Sequence, residues 1–192
     1  MTHDSEQPAY PEVEGPVWGA VVEEGRGALP FALVHGESLV ACASWALGAA
    51  EVEAVALGTP WEVVQEAGVP FVLHDALCPL LDAGVILECV RRAVAEDVVV
   101  VGVRPVTDTV KLERGGVLGG TVDRDGLAAV ASPVVLPAAV VADLERLPST
   151  DFAALTTVLQ ARYPVVLVEV PASGGRVSSV ADVAVLEALT AG

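Results

Sequence analysis

From residue 17 to residue 104 the chain alternates short apolar runs with segments whose apolar positions recur every three or four residues. The run Val17-Trp18-Gly19-Ala20-Val21-Val22 has the continuous hydrophobicity of a strand covered on both faces. Over residues 37–50, Leu39, Val40, Ala43 and Leu47 fall at helical spacing. Residues 52–57 predict a second strand. Residues 60–67 predict a short helix opened by Pro60, where a missing N–H costs nothing. A third strand at 69–73 ends on His74-Asp75. It is followed by a helix at 82–95 and a strongly β-branched fourth strand at 97–103, DVVVVGV. This alternation builds a mostly parallel sheet flanked by helices, since each crossover between parallel strands covers a face.

The rhythm changes at residues 106–131, VTDTVKLERGGVLGGTVDRDGLAAVA, which predict a protruding antiparallel β-arm. Gly115-Gly116 supplies a hairpin turn and Asp125-Gly126 a second turn. Helical patterns return at 137–146 and 151–162. A last strand at 165–170 leads through Ser173-Gly174-Gly175 to a final helix at 180–189. The expected organisation is a flexible acidic tail over 1–15 and one α/β domain over 16–192, with no internal repeat.

Charge narrows the function classes. Ten Lys and Arg face 26 Asp and Glu, for a net charge of −16, and Lys111 is the only lysine. Nucleic acid is not an expected partner, because a basic footprint is missing. A nucleoside triphosphate also needs several cations around it, and few are on offer. The longest uncharged run, between Asp125 and Asp143, contains Pro133 and Pro137 and predicts no membrane span. The N-terminus has neither the basic start nor the apolar core of a signal peptide, which predicts a cytoplasmic protein. Cys42, Cys78 and Cys89 are odd in number with no CxxC spacing, so reduced thiols are expected rather than zinc ligands or disulfides. Trp18, Trp45 and Trp61 are expected in the core or at an interface.

Three motifs carry a resemblance. Pro105-Val106-Thr107-Asp108-Thr109-Val110-Lys111 followed by Thr121-Val122-Asp123-Arg124-Asp125-Gly126-Leu127 is similar to P-V-x-D-T-[IM]-K and T-V-x-R-x-x-L. His74-Asp75-Ala76 before Pro79 resembles H-D-A-A-R-P, and Arg176-Val177-Ser178-Ser179 with Asp182 and Leu186-Glu187 resembles K-V-T-x-x-x-D-x-x-x-A-E. In that order the motifs resemble the 2-C-methyl-D-erythritol 4-phosphate cytidylyltransferases, over about residues 16–190. The resemblance implies a Rossmann-like nucleotidyltransferase fold and a homodimer whose arms, at 106–131, complete each other's pockets. It implies descent from an enzyme of isoprenoid-precursor synthesis. In that reaction a methylerythritol phosphate attacks the α-phosphate of CTP, with magnesium present, and pyrophosphate leaves.

By the same resemblance, Arg176 and Asp75 stand at catalytic positions. Thr109, Arg124, Ser132 and Arg26 stand at substrate-binding positions. Other family features are replaced. The phosphate loop G-x-G-x-R-x-G and its Pro-Lys pair become Glu23-Glu24-Gly25-Arg26-Gly27-Ala28-Leu29-Pro30-Phe31. The cytidine-holding A-G-G-x-x-R-x-x-S segment has no counterpart in 58–70, Cys78 stands for an arginine, and Val134 for a glutamine. The residues themselves leave plainer roles open: Asp75 as a helix cap, Arg124 as a surface ion-pair partner, Thr109 as a strand former and Arg176 as a solvated loop cation.

The expectation is a catalytically impaired relative, acting as a binding or regulatory dimer. The alternatives are an active but divergent nucleotidyltransferase and a non-catalytic binder of a small phosphorylated ligand. Magnesium and CTP are expected only if activity is retained.

Overall fold

The computed structural model describes residues 10–106 and 127–190, together with the backbone of 111–114 and 117–121. Six strands form one sheet in the order β10-β6-β9-β5-β1-β4. They are β1 (Val17–Val22), β4 (Val52–Ala54), β5 (Phe71–Asp75), β6 (Val99–Pro105), β9 (Ala128–Leu136) and β10 (Val165–Glu169). β1 pairs in parallel with β4 and β5, and β10 in parallel with β6. β9 alone runs antiparallel, wedged between β5 and β6. A small hairpin pairs β2 (Leu33–Val34) with β3 (Glu37–Ser38), and an antiparallel ribbon pairs β7 (Lys111–Arg114) with β8 (Val117–Thr121). The expected α/β fold, mostly parallel with an added antiparallel ribbon, is present. The turns expected at Gly115-Gly116 and Asp125-Gly126 lie outside the described residues.

Successive side chains of the central strands go to opposite faces. Val72, Val100 and Val135 enter a core with Leu47 of α1 (Leu39–Ala49) and with Ile86, Cys89 and Val90 of α3 (Ala83–Glu96). Leu73, Val101 and Val134 enter a second core with Val64 of α2 (Trp61–Ala67), Val140 of α4 (Ala138–Asp143) and Leu155 of α5 (Phe152–Gln160). That period-two split explains the nearly continuous apolar runs in the sequence. A third, smaller core joins Val34 and Leu77 to Val183 and Leu186 of α6 (Val180–Thr190).

Helix starts follow ordinary capping chemistry. Ser38, Asp82 and Asp151 each accept a backbone N–H in the first turn of α1, α3 and α5. Cys78 and Cys89 are buried thiols and Cys42 is half-buried. Trp61 donates to Leu144 O at 2.7 Å and meets Phe71 edge-on, whereas Trp45 is 59% exposed rather than packed. No helix among the described residues is long and apolar enough to cross a membrane.

Two expectations need correcting. Residues 128–131, assigned above to the arm, begin β9 inside the sheet. Pro133 hid that strand, because proline cannot donate to a ladder and is rare in a central strand. The β6–β9 register shifts between Val101 and Val103, so Pro133 falls at an irregularity. Within the expected tail, Tyr10 Oη donates to Glu96 at 2.6 Å and Val13 packs on the α1–α3 core. The second strand is also shorter than expected, ending at Ala54.

Gly102 allows the close approach of β6 to the irregular strand. A Cβ there would collide with Ser132 O, a backbone atom that cannot swing aside. Gly102→Ala should therefore destabilise the fold by about 3 kcal/mol or prevent folding, as overpacking against a rigid wall does. Urea unfolding of the variant measures this, and a wild-type midpoint would refute the account.

Candidate functional site

Three strands and the loops behind them converge at the carboxyl end of the parallel sheet, where open α/β sheets place their ligands. Asp75 is the last residue of β5 and is only 2% exposed. Arg26 reaches it from the loop after β1. That loop bends through Gly25 at φ 74° and Gly27 at φ 62°, backbone angles that favour glycine. Arg176 reaches it from the loop after β10, which Val177 N ties to Leu77 O at 2.8 Å.

The result is one carboxylate between two guanidiniums. Arg26 Nε lies 3.2 Å from both Asp75 oxygens, and its Nη2 lies 3.1 Å from Oδ2. Arg176 Nε donates to Oδ2 at 3.1 Å, and the Leu77 N–H donates to Oδ1 at 3.0 Å. Arg26 is committed further: Nη2 donates to Thr150 O at 2.8 Å and Nη1 to Glu24 O at 3.3 Å. Its side chain is 7% exposed, against 41% for Arg176. Arg26 is thus an internal cation, whereas Arg176 turns its outer edge toward solvent.

Behind Asp75 lies a buried polar pair. Ser132 Oγ accepts the Asp75 N–H at 3.1 Å and shares a short hydrogen bond with His74 Nδ1. Ser132 is fully buried and His74 Nε2 finds no partner among the described residues. Burial pushes His74 down to about 4, against a smaller upward pull from the Asp75 charge, so the ring is neutral near pH 7. Burial, with the Asp75 charge adding to it, pushes the Cys78 thiol up to about 12, which leaves it unreactive.

Two cavities adjoin this cluster and share Arg176. The inner one, about 190 Å³, is lined by Arg26, Asp75, Asp151 and Phe152. The outer one, about 280 Å³, is lined by Arg104, Val106, Gly175 and the Val130-Ala131 stretch of β9. Of the residues singled out from sequence, Arg26, Asp75 and Arg176 come together. Ser132 was expected as a pocket hydroxyl; instead its oxygen is spent on Asp75 and His74 beneath the cavity floor. Thr109 and Arg124 lie outside the described residues. Arg104 was missed, although a lone arginine ending the apolar strand DVVVVGV was a visible signal.

Magnesium requires oxygen ligands with free lone pairs. Both Asp75 oxygens already accept from guanidinium or backbone donors, and two positive charges stand beside them. No group of three or more His, Cys, Asp or Glu among the described residues could hold a metal ion. The donor set does not fit magnesium.

The model of the IspD family, 2-C-methyl-D-erythritol 4-phosphate cytidylyltransferase, matches residues 48–188. Similar solved structures include the 2-C-methyl-D-erythritol 4-phosphate cytidylyltransferase of Thermus thermophilus. It is 22% identical, with a TM-score of 0.66 over 91% of this chain and 98% of that one. The 4-diphosphocytidyl-2C-methyl-D-erythritol synthase of Anaerococcus prevotii is 14% identical, with a TM-score of 0.66 over 91% and 95% of the two chains. The Francisella tularensis cytidylyltransferase is 14% identical, with a TM-score of 0.59 over 89% and 98%. No curated protein sequence matches the chain.

Two measurements test the cluster. Asp75→Ala strands the buried Arg26 charge and should cost about 3–5 kcal/mol, whereas Arg176→Ala, at a half-exposed position, should cost under about 1 kcal/mol; equal effects would refute the asymmetry. The folded His74 pKa lies below the ordinary 6.5, so its stabilising contribution is present above pH 6.5 and is lost as pH falls toward about 4. That loss amounts to roughly 3 kcal/mol. Urea midpoints at pH 7 and pH 4.5 should converge for wild type and His74→Gln at the lower pH, and a constant difference would exclude the linkage.

Proposed function

Because the chain belongs to the 2-C-methyl-D-erythritol 4-phosphate cytidylyltransferase (IspD) family, we propose that it is a catalytically impaired member that keeps an acceptor-side pocket. The observation that carries this reading is the saturation of Asp75 and Arg26 by each other. Nucleotidyl transfer depends on positioning the phosphates and neutralising their developing charge. The carboxylate at the family's catalytic position has no oxygen left for a cation, and the one arginine of the shortened loop is turned inward onto it.

The triphosphate side offers little else. Glu23 and Glu24 are exposed on the loop and would repel phosphates. Phe31, in the place of the family's lysine, is 63% exposed and uncharged. Donors aimed at developing oxyanions are each worth about 3–4 kcal/mol, so losing several slows transfer by many orders of magnitude. The acceptor side is richer, with Arg176 at the mouth of both cavities. In this reading residues 16–192 act as one domain, and the β7–β8 ribbon is the arm of a homodimer that brings Thr109 and Arg124 to a partner's pocket. The protein then works as a binding or regulatory dimer.

Calorimetry with CTP–magnesium should give no micromolar binding, and a coupled pyrophosphate assay with CTP and methylerythritol phosphate should stay at background. Pyrophosphate release that vanishes in Asp75→Asn would sink the proposal and favour a divergent active enzyme. A monomer in sedimentation at micromolar concentration would remove the dimer arm from it.

A further inference from the structure

The outer cavity has an unusual charge for this protein. The chain carries ten basic and 26 acidic residues, yet the cavity is walled by two arginines, Arg104 and Arg176, and by no carboxylate among the described residues. Arg104 is the next-to-last residue of β6, and Arg176 follows Gly174-Gly175 in the loop after β10. Those two strands pair in parallel from Val99 against Val165 to Val103 against Glu169, so both arginines emerge at one sheet end.

Each guanidinium is anchored at one point only by the bonds described for it. Arg104 Nη1 donates to Val170 O at 3.2 Å, and Arg176 Nε donates to Asp75 at 3.1 Å. Gly175 lies between them. A Cβ on Gly175 would touch Arg104 Cδ at 3.7 Å and Nε at 3.9 Å, so the bare glycine lets the Arg104 stem lie against the loop. The anchors hold the stems. The Arg176 terminal nitrogens, Nη1 and Nη2, have no acceptor among the described residues, and that side chain is 41% exposed.

We propose that the cavity between Arg104 and Arg176 binds a phosphate-type dianion, held by both guanidiniums of one chain, with Arg104 as a binding residue. Planar forks match the oxygens of such a group in pairs, and the cavity, about 280 Å³, has room for a phosphate with a small organic substituent. The inference rests on the surviving acceptor-side pocket and is independent of whether transfer chemistry is lost. It places a second cation in the same chain, where the family resemblance supplies one only from the partner's arm.

The test uses inorganic phosphate at pH 8 on the full chain, followed by calorimetry and by the arginine Nε–H signals in NMR. Saturable binding should move the Arg104 and Arg176 signals together. Arg104→Gln should weaken it about tenfold, the effect of one charge-assisted pair. Arg104→Lys should fall between, because it keeps the charge and a donor for Val170 but loses the fork. Arg92→Gln, on a partly exposed residue of α3 paired with Glu96, should bind as wild type. Acetate should bind more weakly than phosphate. Phosphate binding unchanged in Arg104→Gln but lost in Arg176→Gln would overturn the Arg104 assignment and leave the pocket reading intact. The absence of any saturable phosphate response, or acetate binding as tightly as phosphate, would overturn the dianion site itself. Thermal melts of the two Arg104 variants identify any loss due to unfolding, and a folded Arg104→Lys with wild-type affinity would also count against the fork.

Discussion

Taking a carboxylate out of water costs several kcal/mol unless donors surround it, and Asp75 ends β5 in such a place. Its two oxygens collect a backbone N–H and two guanidiniums from loops far apart in the chain, the loop after β1 and the loop after β10. That requirement organises the whole carboxyl end of the sheet. Arg26 pins the loop after β1 and, through Thr150 O, the approach to α5. Arg176 pins the loop that leads to α6. Remove the charge at Asp75 and three segments lose a common anchor, while one arginine is left buried.

The same centre sets which charges at this end of the sheet are spent on the fold and which stay open to solvent. A charged group can serve the fold or a ligand, and which it serves depends on its remaining valence. Asp75 and Arg26 neutralise each other inside the protein, so neither presents net charge to a triphosphate. Arg176 is attached by one nitrogen and half exposed, so the N–H groups of its other two nitrogens remain available. The difference between two arginines on one carboxylate is therefore a difference in burial, and burial follows from loop geometry: the short turn after β1 folds Arg26 back under Thr150, while the Gly174-Gly175 loop holds Arg176 at the rim.

Much of the fold was legible because the strands are buried on both faces. Runs such as DVVVVGV have no competing helical period, and β1, α3, β6, β10 and α6 fall where the pattern places them. β9 was not legible. Its pairing is set by a tertiary fit, Gly102 against the Ser132 backbone, which no local propensity encodes, and Pro133 argues locally against a strand. The site was legible as a set of residue types and not as a set of bonds. Asp75, Arg26 and Arg176 could be picked out by position, but nothing in the sequence says that they bind one another. Ser132 makes the same point: its hydroxyl was visible as a type, and its bonds to the Asp75 N–H and His74 were not. Arg104 escaped notice because a cation at a strand end is ordinary until the strand beside it is known.

Charge balance links these levels. In a chain with 16 more acidic than basic residues, the long-range field repels anions, and only a local concentration of cations within about 10 Å can reverse that, since salt screens the rest. Three of the ten basic residues, Arg26, Arg104 and Arg176, gather around two adjoining cavities. One is cancelled by Asp75, which leaves the positive excess on the outer side, between β6 and the loop after β10. The sheet order β10-β6-β9-β5 sets that gradient: β5 carries the carboxylate, β6 and the loop after β10 carry the arginines, and antiparallel β9 lies between, contributing the uncharged Val130-Ala131 wall. An anion approaching this end meets two arginines and no carboxylate among the described residues on the outer side, whereas the inner side also carries the carboxylates of Asp75 and Asp151.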